Sequence, residues 1–398
     1  MSVQIILPAG GSTPATPPVP VKSNLLRNSG FWFAQVRDPN SLTNVNTGGF
    51  GASINRRMIA ADGWGVCVEN NDSQYIRVDT DGSPEADFGG RYYGRFVKIT
   101  SDGKMMITQA VESIHCQPVR GGQVRVQVWL KANVSAATWR IGVLQLTSSG
   151  TVDAIPARDT GTWTSAWNSA STDPTLTAGN NVSYIAPDSS NTDNTTVNGN
   201  ALDCSVTTGW QRFGGTFTIP TDCHNLLLAI WSDDQVPTND GVSIANAQVV
   251  VGTDIVDWSP LAISLELERC QRYILKTFAT DTAPAQNIGE TGNTLFGIVA
   301  KSGSNASALF IWWRFPVPLF RDALSDVNSY PLVGMTTYSP SAASAWAWNI
   351  TSGITMGTPA SFIARTDGTV WQEAGVGGGG GSGVGDLCAL HVLVFGEL

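Results

Sequence analysis

The sequence predicts an all-β protein, in which a jelly-roll-like antiparallel sandwich is followed by a smaller β domain, with one helix between them. Many short segments alternate polar and apolar residues, as Gly122–Leu130 does, and this alternation places one face of a strand in a core and the other in solvent. The 42 glycines indicate frequent turns. Good helical periodicity occurs only in Ile263–Thr277.

The first domain is predicted over residues 24–262. Its strands are short, closely spaced and bounded by turn residues, which favours an antiparallel jelly roll. The segment between Gly150 and Gly209 is polar and lacks strong periodicity, so it predicts a long loop that contacts a ligand or a partner subunit. The predicted strands are Gln74–Val78, Arg95–Ile99, Gly122–Leu130, Arg140–Leu146, Gly214–Ile219, Asn225–Trp231 and Ala245–Gly252.

The second domain, residues 263–398, begins with the predicted helix and continues as strands for assembly. Apolar Ile263, Leu267, Cys270 and Ile274 fall on one helical face. This stripe packs on its own domain, or three copies share it around a symmetry axis. The strands that follow have continuous apolar runs, which predicts burial on both faces: Thr294–Val299, Ala308–Phe315, Ala360–Ala364 and Leu387–Phe395.

Residues 1–23 form an N-terminal arm and a proline-rich spacer. The spacer Pro8–Pro20 favours extended, unpaired backbone. The arm is either a disordered tail or a docking arm that adds a strand to the sheet of a neighbouring subunit. The N-terminal residues do not show a basic stretch followed by an apolar one, so no secretory signal is predicted. The candidate docking residues are Val3, Ile5, Ile6 and Leu7.

The composition argues against several classes of partner and activity. A net charge of −9 disfavours nucleic-acid binding, which depends on Lys and Arg neutralising phosphates. No apolar run approaches the roughly 18 residues of a membrane helix. The sequence contains no hydrolase motif, so we expect no enzymatic activity. No cofactor is predicted, although calcium stays open at the acidic turns Asp79–Asp87, Ser232–Asp234 and Asn239–Asp240.

The six cysteines include no C-x-x-C pair, which argues against a zinc ribbon. Cys204 and Cys223 are close enough in sequence to be neighbours on adjacent strands. They form either a disulfide or two free, buried thiols, and a reducing compartment favours the thiols.

Aromatic residues supply the remaining candidate contacts. Trp32, Trp64, Tyr92 and Tyr93 are interpreted as packing in the core or between subunits. Four other tryptophans lie among polar or small residues, where exposed rings stack on sugars or on a neighbouring protein. These candidate glycan or partner contacts are Trp163, Trp167, Trp346 and Trp348.

Three segments carry a resemblance to a known family: Asn24–Gln35, which reads NLLRNSGFWFAQ, Ala60–Trp64, and Leu265–Tyr273. Together they resemble virion structural proteins of tailed bacteriophages, of the minor structural, head-fibre or tail-fibre type. The resemblance implies a first domain like the β-sandwich of a carbohydrate-binding module. It brings no catalytic residues to this chain.

We therefore expect a non-enzymatic virion structural protein, a capsid-decorating or fibre component anchored by its N-terminal arm. The resemblance implies a homotrimer that is assembled in the bacterial cytoplasm, contacts other virion proteins and resides in the virion. The alternative is a tail fibre that binds a host glycan. A depolymerase is the enzymatic alternative, which the missing motifs disfavour. The location on head or tail and the identity of a glycan stay open.

Overall fold

The structure is a computed structural model of the 398-residue chain. The backbone alone is described at residues 43–45, 58–60 and from 274 onward. The predicted docking residues Val3, Ile5, Ile6 and Leu7 lie outside the described part of the chain. The structure describes residues 24–34, 43–45, 58–68, 73–80, 88–99, 102–147, 173–176, 181–276, 295–301, 307–314, 332–338, 362–364, 369–376 and 387–395.

Two antiparallel sheets form the sandwich, as predicted. Sheet A has the order β1 (Thr43–Val45), β4 (Ser73–Asp79), β5 (Tyr92–Lys98), β15 (Gly241–Val251), β7 (Gln123–Ala132), β13 (Gln211–Thr218) and β10 (Pro187–Asp193). Sheet B has the order β11 (Thr195–Asn198), β12 (Ala201–Val206), β8 (Ala137–Leu146), β14 (Asn225–Ser232), β6 (Met105–Val111), β3 (Trp64–Val68) and β2 (Met58–Ala61), and β9 (Val182–Ile185) also pairs with β8.

The core lies between these sheets and follows the alternation of the sequence. In β7 the side chains of Val124, Val126, Val128 and Leu130 are fully buried in it. Because successive side chains of a strand point to opposite faces, the intervening residues of β7 lie on the outer face of sheet A.

The chain after the sandwich begins with the helix α2 (Ile263–Gln271) and continues into a third antiparallel sheet. Neither α2 nor α1 (Ser113–Cys116), the α-helices of the described residues, is long and apolar enough to cross a membrane. The domain boundary at residue 262 stays a prediction. The third sheet has the order β16 (Ile274–Lys276), β22 (Leu387–Phe395), β17 (Leu295–Lys301), β18 (Ser307–Arg314), β21 (Thr369–Val376) and β20 (Phe362–Ala364), and β19 (Leu332–Tyr338) pairs with β22.

The prediction of a long loop over Gly150–Gly209 is wrong for its second part. There β10 belongs to sheet A, and β9, β11 and β12 belong to sheet B. These strands lack a clear hydrophobic alternation because several sit at sheet edges: half or more of the side chains of β10 and β11 are exposed or half-buried. Edge strands are held by backbone pairing and so leave a weak periodic signal.

The predicted helix ends earlier than expected, at Gln271, and its predicted apolar stripe is buried within this chain at Cys270 but not at Ile263. That three copies share the stripe stays a prediction. Ile263 is 53% exposed, and Ile274 lies in β16 rather than in the helix. The buried positions are Glu266, Cys270 and Tyr273, which still follow helical spacing. Glu266 occupies this face because its carboxylate accepts a hydrogen bond from the buried backbone N–H of Asn28 in the N-terminal segment.

Asn28 is the point at which the three segments of the family resemblance meet. Its side-chain amide donates to the carbonyl oxygens of Phe33 at 2.7 Å and Asp62 at 3.0 Å, and its Oδ1 accepts from the N–H of Phe33 at 3.0 Å. Its own carbonyl oxygen accepts from Trp64 Nε1 at 3.1 Å. Its backbone N–H donates to Glu266 Oε1. We call these five bonds the Asn28 network.

Arg27 extends this network to sheet B and to the end of α2. The side chain of Gln109 bonds both the N–H of Arg27, at 2.8 Å, and its carbonyl oxygen, at 3.0 Å. The Arg27 guanidinium lies 3.6 Å from the ring centroid of Tyr273. Gly63 has a φ of +83°, and a Cβ there would lie 2.7 Å from Arg27 Nε, so this turn requires glycine.

Phe31 closes the open end of the core next to the network. It is fully buried and stacks on Trp64 with ring centroids 5.1 Å apart. Its φ of 56° is a conformation that bulky residues rarely adopt. A Cβ at Gly94 would lie 2.6 Å from the Phe31 ring. The glycine in β5 therefore makes the space that the ring occupies.

Cys204 and Cys223, the pair considered for a disulfide, are both free thiols, as is Cys270. Cys204 lies in β12, whereas Cys223 lies in the turn before β14, so the two are not on adjacent strands as expected. Each thiol donates to a nearby backbone carbonyl oxygen. Burial raises the pKa of the Cys204 thiol and of the Cys270 thiol well above the ordinary value. These residues act as small apolar side chains.

Replacing Asn28 by alanine tests the network. Asn28→Ala leaves the Phe33 N–H and two carbonyl oxygens without their buried partner, so we expect a loss of about 3–5 kcal/mol in the free energy of unfolding. Asn181, which has a similar φ of 57° but is exposed, is the matched control, and Asn181→Ala should cost about 1 kcal/mol. Urea unfolding followed by tryptophan fluorescence measures both. Equal losses would contradict the role of the network.

Candidate functional site

The outer face of sheet A presents aromatic and basic side chains in two adjacent rows. The register pairs Ser243 with both Arg95 and Lys131, which makes a row across β5, β15 and β7. The next row pairs Trp129 with Ala245 on one side and with Arg212 on the other. Side chains directly opposite each other in such pairs lie about 5 Å apart, so the rows form one continuous surface.

Aromatic rings form the floor of this surface. Tyr93, Trp210 and Phe88 pack edge to face, with ring centroids 4.7–6.2 Å apart, and all three are nearly buried. Trp129 packs against this group and is half-buried. Lys131 Nζ lies 5.7 Å from the Trp210 ring centroid, within range of a cation–π interaction. These contacts fix the rings before a ligand arrives.

The cations lie beside the rings. Arg95 and Lys131 are half-buried. Arg212 Nε donates to Asp193 Oδ2 at 2.8 Å, and 31% of the Arg212 side chain is exposed against 13% of Asp193. The guanidinium is therefore the more accessible partner of this pair.

Arg125 and Gln127 lie further along β7 on the same outer side. The backbone of Val256 covers Gln127, because its N–H donates to Gln127 Oε1 at 3.1 Å. Arg125 Nη1 donates to the carbonyl oxygen of Asn191 at 2.9 Å. Burial lowers the pKa of the Arg125 guanidinium, and the carboxylate of Asp193 opposes that shift.

We call Tyr93, Arg95, Trp129, Lys131, Trp210 and Arg212 the aromatic–basic face. Aromatic rings pack on the apolar C–H faces of sugars, while guanidinium and ammonium groups donate hydrogen bonds to oxygen acceptors. The face can thus hold a polar, oxygen-rich ligand in a fixed orientation.

A second aromatic group lies at one edge of the sandwich. Trp32, Tyr92 and Trp258 are half-buried, and the first two rings meet edge to face at 4.9 Å. Trp258 Nε1 donates to Ser29 Oγ at 3.2 Å. Of the four residues interpreted as core or inter-subunit packing, Trp64 and Tyr93 are buried, and half-buried Tyr92 packs against the core. Trp32 is half-buried, and its packing between subunits stays a prediction.

A cavity of about 320 Å³ lies at one end of the sandwich, between residues 135–139 and 232–241. Two of the three carboxylates that line it already stabilise the fold. Asp240 accepts hydrogen bonds from the N–H groups of Val134 at 2.9 Å, Ser135 at 3.0 Å and Gly241 at 2.7 Å. Asp233 lies 3.8 Å from Arg140 Nε. The cavity is thus lined by the segments that connect β7 to β8 and β14 to β15. Because its buried carboxylates hold these connections, we favour the aromatic–basic face as the site.

The predicted metal and contact residues have different outcomes. Among the described residues, no three His, Cys, Asp or Glu side chains lie together as metal ligands would. Asp79 pairs with Arg91 at 3.1 Å, while residues 81–87 are not among those described. The predicted contacts Trp163, Trp167, Trp346 and Trp348 also lie outside the described residues, so they stay predictions.

The sequence contained part of the signal for the aromatic–basic face. The alternation of β7 already places Trp129 and Lys131 on the polar side of that strand. Arg95 occupies the same kind of position in a predicted strand. Trp210 and Arg212 follow the segment predicted as a loop, so only the strand pairing brings them to the face.

No protein-family model matches the chain, and no curated protein does. Solved structures with partial similarity include the CBM22-1–GH10 modules of a Clostridium thermocellum endo-1,4-beta-D-xylanase complexed with xylohexaose, with 14% identity over 55% of this chain and a TM-score of 0.28. The match spans 28% of that chain.

Two further similar structures come from different sources. A CBM22-1 xylan-binding domain from Paenibacillus barcinonensis has 10% identity, a TM-score of 0.26 and coverage of 54% of this chain and 99% of its own. The enzymatically active domain of tailspike protein 4 of bacteriophage CBA120 has 10% identity, a TM-score of 0.26 and coverage of 54% and 22%. Similarities at these TM-scores establish neither a family nor a function.

Proposed function

We propose that this protein is a non-enzymatic structural component of a tailed-bacteriophage virion, and that its sandwich binds a glycan on the host surface. The observation that carries the glycan-binding part is the aromatic–basic face. There, half-buried Trp129 lies between the donors Lys131 and Arg212 on neighbouring positions of sheet A.

Sugar binding needs two kinds of contact that this face combines. The ring of Trp129 offers an apolar plane for the C–H groups of a pyranose. The guanidinium groups of Arg95 and Arg212 offer donors to hydroxyl and carboxylate oxygens. Because the rings beneath are packed against one another, the face loses little conformational entropy on binding.

The virion part of the proposal rests on the resemblance of Asn24–Gln35, Ala60–Trp64 and Leu265–Tyr273 to phage structural proteins. These segments meet in the Asn28 network, which supports reading them as fold-forming rather than ligand-binding. Within this proposal the N-terminal arm anchors the protein to a capsid or tail, and three copies assemble as a homotrimer.

Removing the Trp129 ring tests the glycan-binding part. We expect Trp129→Ala to weaken binding to a responsive polysaccharide at least about tenfold, because the stacking plane is lost. Trp32→Ala is the matched control, since Trp32 is also half-buried but belongs to the second aromatic group, with Tyr92 and Trp258. Affinity electrophoresis in gels containing single polysaccharides measures both. A loss with Trp32→Ala alone would place binding elsewhere and contradict the assignment.

Particle association tests the virion part. We expect the full chain to co-sediment with phage particles through a density gradient, and light scattering of the purified chain to give the mass of three copies. Deleting residues 1–23 should release the protein from particles without changing its folded sandwich. A monomer that never co-purifies with particles would contradict this part of the proposal.

A further inference from the structure

We propose that Asn246 is a positioning residue for the aromatic–basic face, an inference that rests on the proposed function. Asn246 follows Ala245, the residue of β15 that pairs with Trp129. The register of β15 against β7 shifts between Ala245 and Gln248, which marks a β-bulge. Asn246 has a φ of 45°, a conformation that is uncommon in a strand. Bulges often lie beside functional sites, where they redirect a side chain.

The side chain of Asn246 holds the backbone of Phe88. Its amide group donates to the carbonyl oxygen of Phe88, and only 1% of Asn246 is exposed. A buried amide group of this kind needs a hydrogen-bond partner. A Cβ at Gly90 would lie 2.6 Å from Asn246 Oδ1 and 2.9 Å from the Phe88 ring. Because Gly90 has no side chain, the segment that contains Phe88 can pack closely against the bulge.

Phe88 transmits this position to the rings of the face. Its ring centroid lies 4.7 Å from that of Trp210 and 6.2 Å from that of Tyr93. Trp129 packs against this cluster of buried residues. Edge-to-face contacts depend on the orientation of each ring. Asn246 therefore fixes, through Phe88, the rings that support Trp129 as a plane for sugar stacking.

The other end of the same segment is held by the sheet itself. The backbone N–H of Thr80 donates to the carbonyl oxygen of Arg91 at 2.8 Å, and Thr80 Oγ1 donates to that oxygen at 2.7 Å. These bonds continue the pairing of β4 with β5, in which Asp79 lies opposite Tyr92. They place Arg91, whereas the bond from the bulge of β15 places Phe88.

The test removes the amide group of Asn246 and keeps the backbone conformation. Glycine adopts a positive φ without strain, so Asn246→Gly deletes the bond to Phe88 alone. We expect the folded variant to bind polysaccharide about fivefold more weakly, because its rings are less pre-organised. Affinity electrophoresis in gels containing xylan, polygalacturonate or dextran measures the change. Asn239→Gly, at an exposed residue with a φ of 66°, is the matched control and should bind as the unaltered chain does.

A double-mutant cycle separates positioning from a general loss of stability. Phe88→Leu keeps the bond from Asn246 but removes the ring, so it should weaken binding to a similar extent. If Asn246 acts through Phe88, the two losses do not add, and the double variant binds no more weakly than the weaker single variant. Near-UV circular dichroism should decrease in Asn246→Gly and stay unchanged in Asn239→Gly, under conditions in which urea unfolding shows each variant to be folded.

The outcomes separate the inference from the proposed function. Unchanged binding by Asn246→Gly, or additive losses in the cycle, would overturn the positioning role of Asn246 and leave the proposed glycan binding intact. If none of the three polymers retards the unaltered chain, the proposed glycan binding and this inference are both overturned.

Discussion

The sandwich depends on the hydrogen bonds of one buried asparagine. Asn28 lies at a positive φ of 48° and joins the N-terminal segment, the turn at Asp62 and the helix α2. Its partners are backbone groups, the Trp64 indole and the Glu266 carboxylate, and a buried polar group without a hydrogen bond costs more than a typical hydrogen bond contributes. An asparagine supplies donors and an acceptor at one point, which an apolar residue cannot do.

This arrangement divides the aromatic residues of the chain by role. Phe31 and Trp64 stack within the core and act with Asn28 to close the open end of the sandwich. Trp129 sits on the outer face of sheet A and is not needed for that closure. The most recognisable sequence segment is therefore structural, whereas the proposed binding surface lies on strands whose sequence is less distinctive.

The fold class could be predicted because the alternating or continuous apolar residues of β7, β8 and β14 are visible in the sequence and are buried in the structure. The sequence did not predict β10 and β11, whose polar edge positions carry little hydrophobic signal. The sequence periodicity predicted an apolar stripe on α2. It could not show that Glu266 is buried, because that burial depends on the backbone N–H of Asn28, which is distant in sequence. The aromatic–basic face depends on register between strands far apart in sequence, such as Trp129 with Arg212, and no local pattern specifies that pairing.

A crystal structure of the full chain with a bound oligosaccharide tests the proposed glycan binding most directly. We expect a sugar ring stacked on Trp129, with oxygen atoms of the ligand within hydrogen-bond distance of Arg95 or Arg212. A ligand seated instead on Trp32 and Tyr92, or in the cavity beside Asp240, would contradict it.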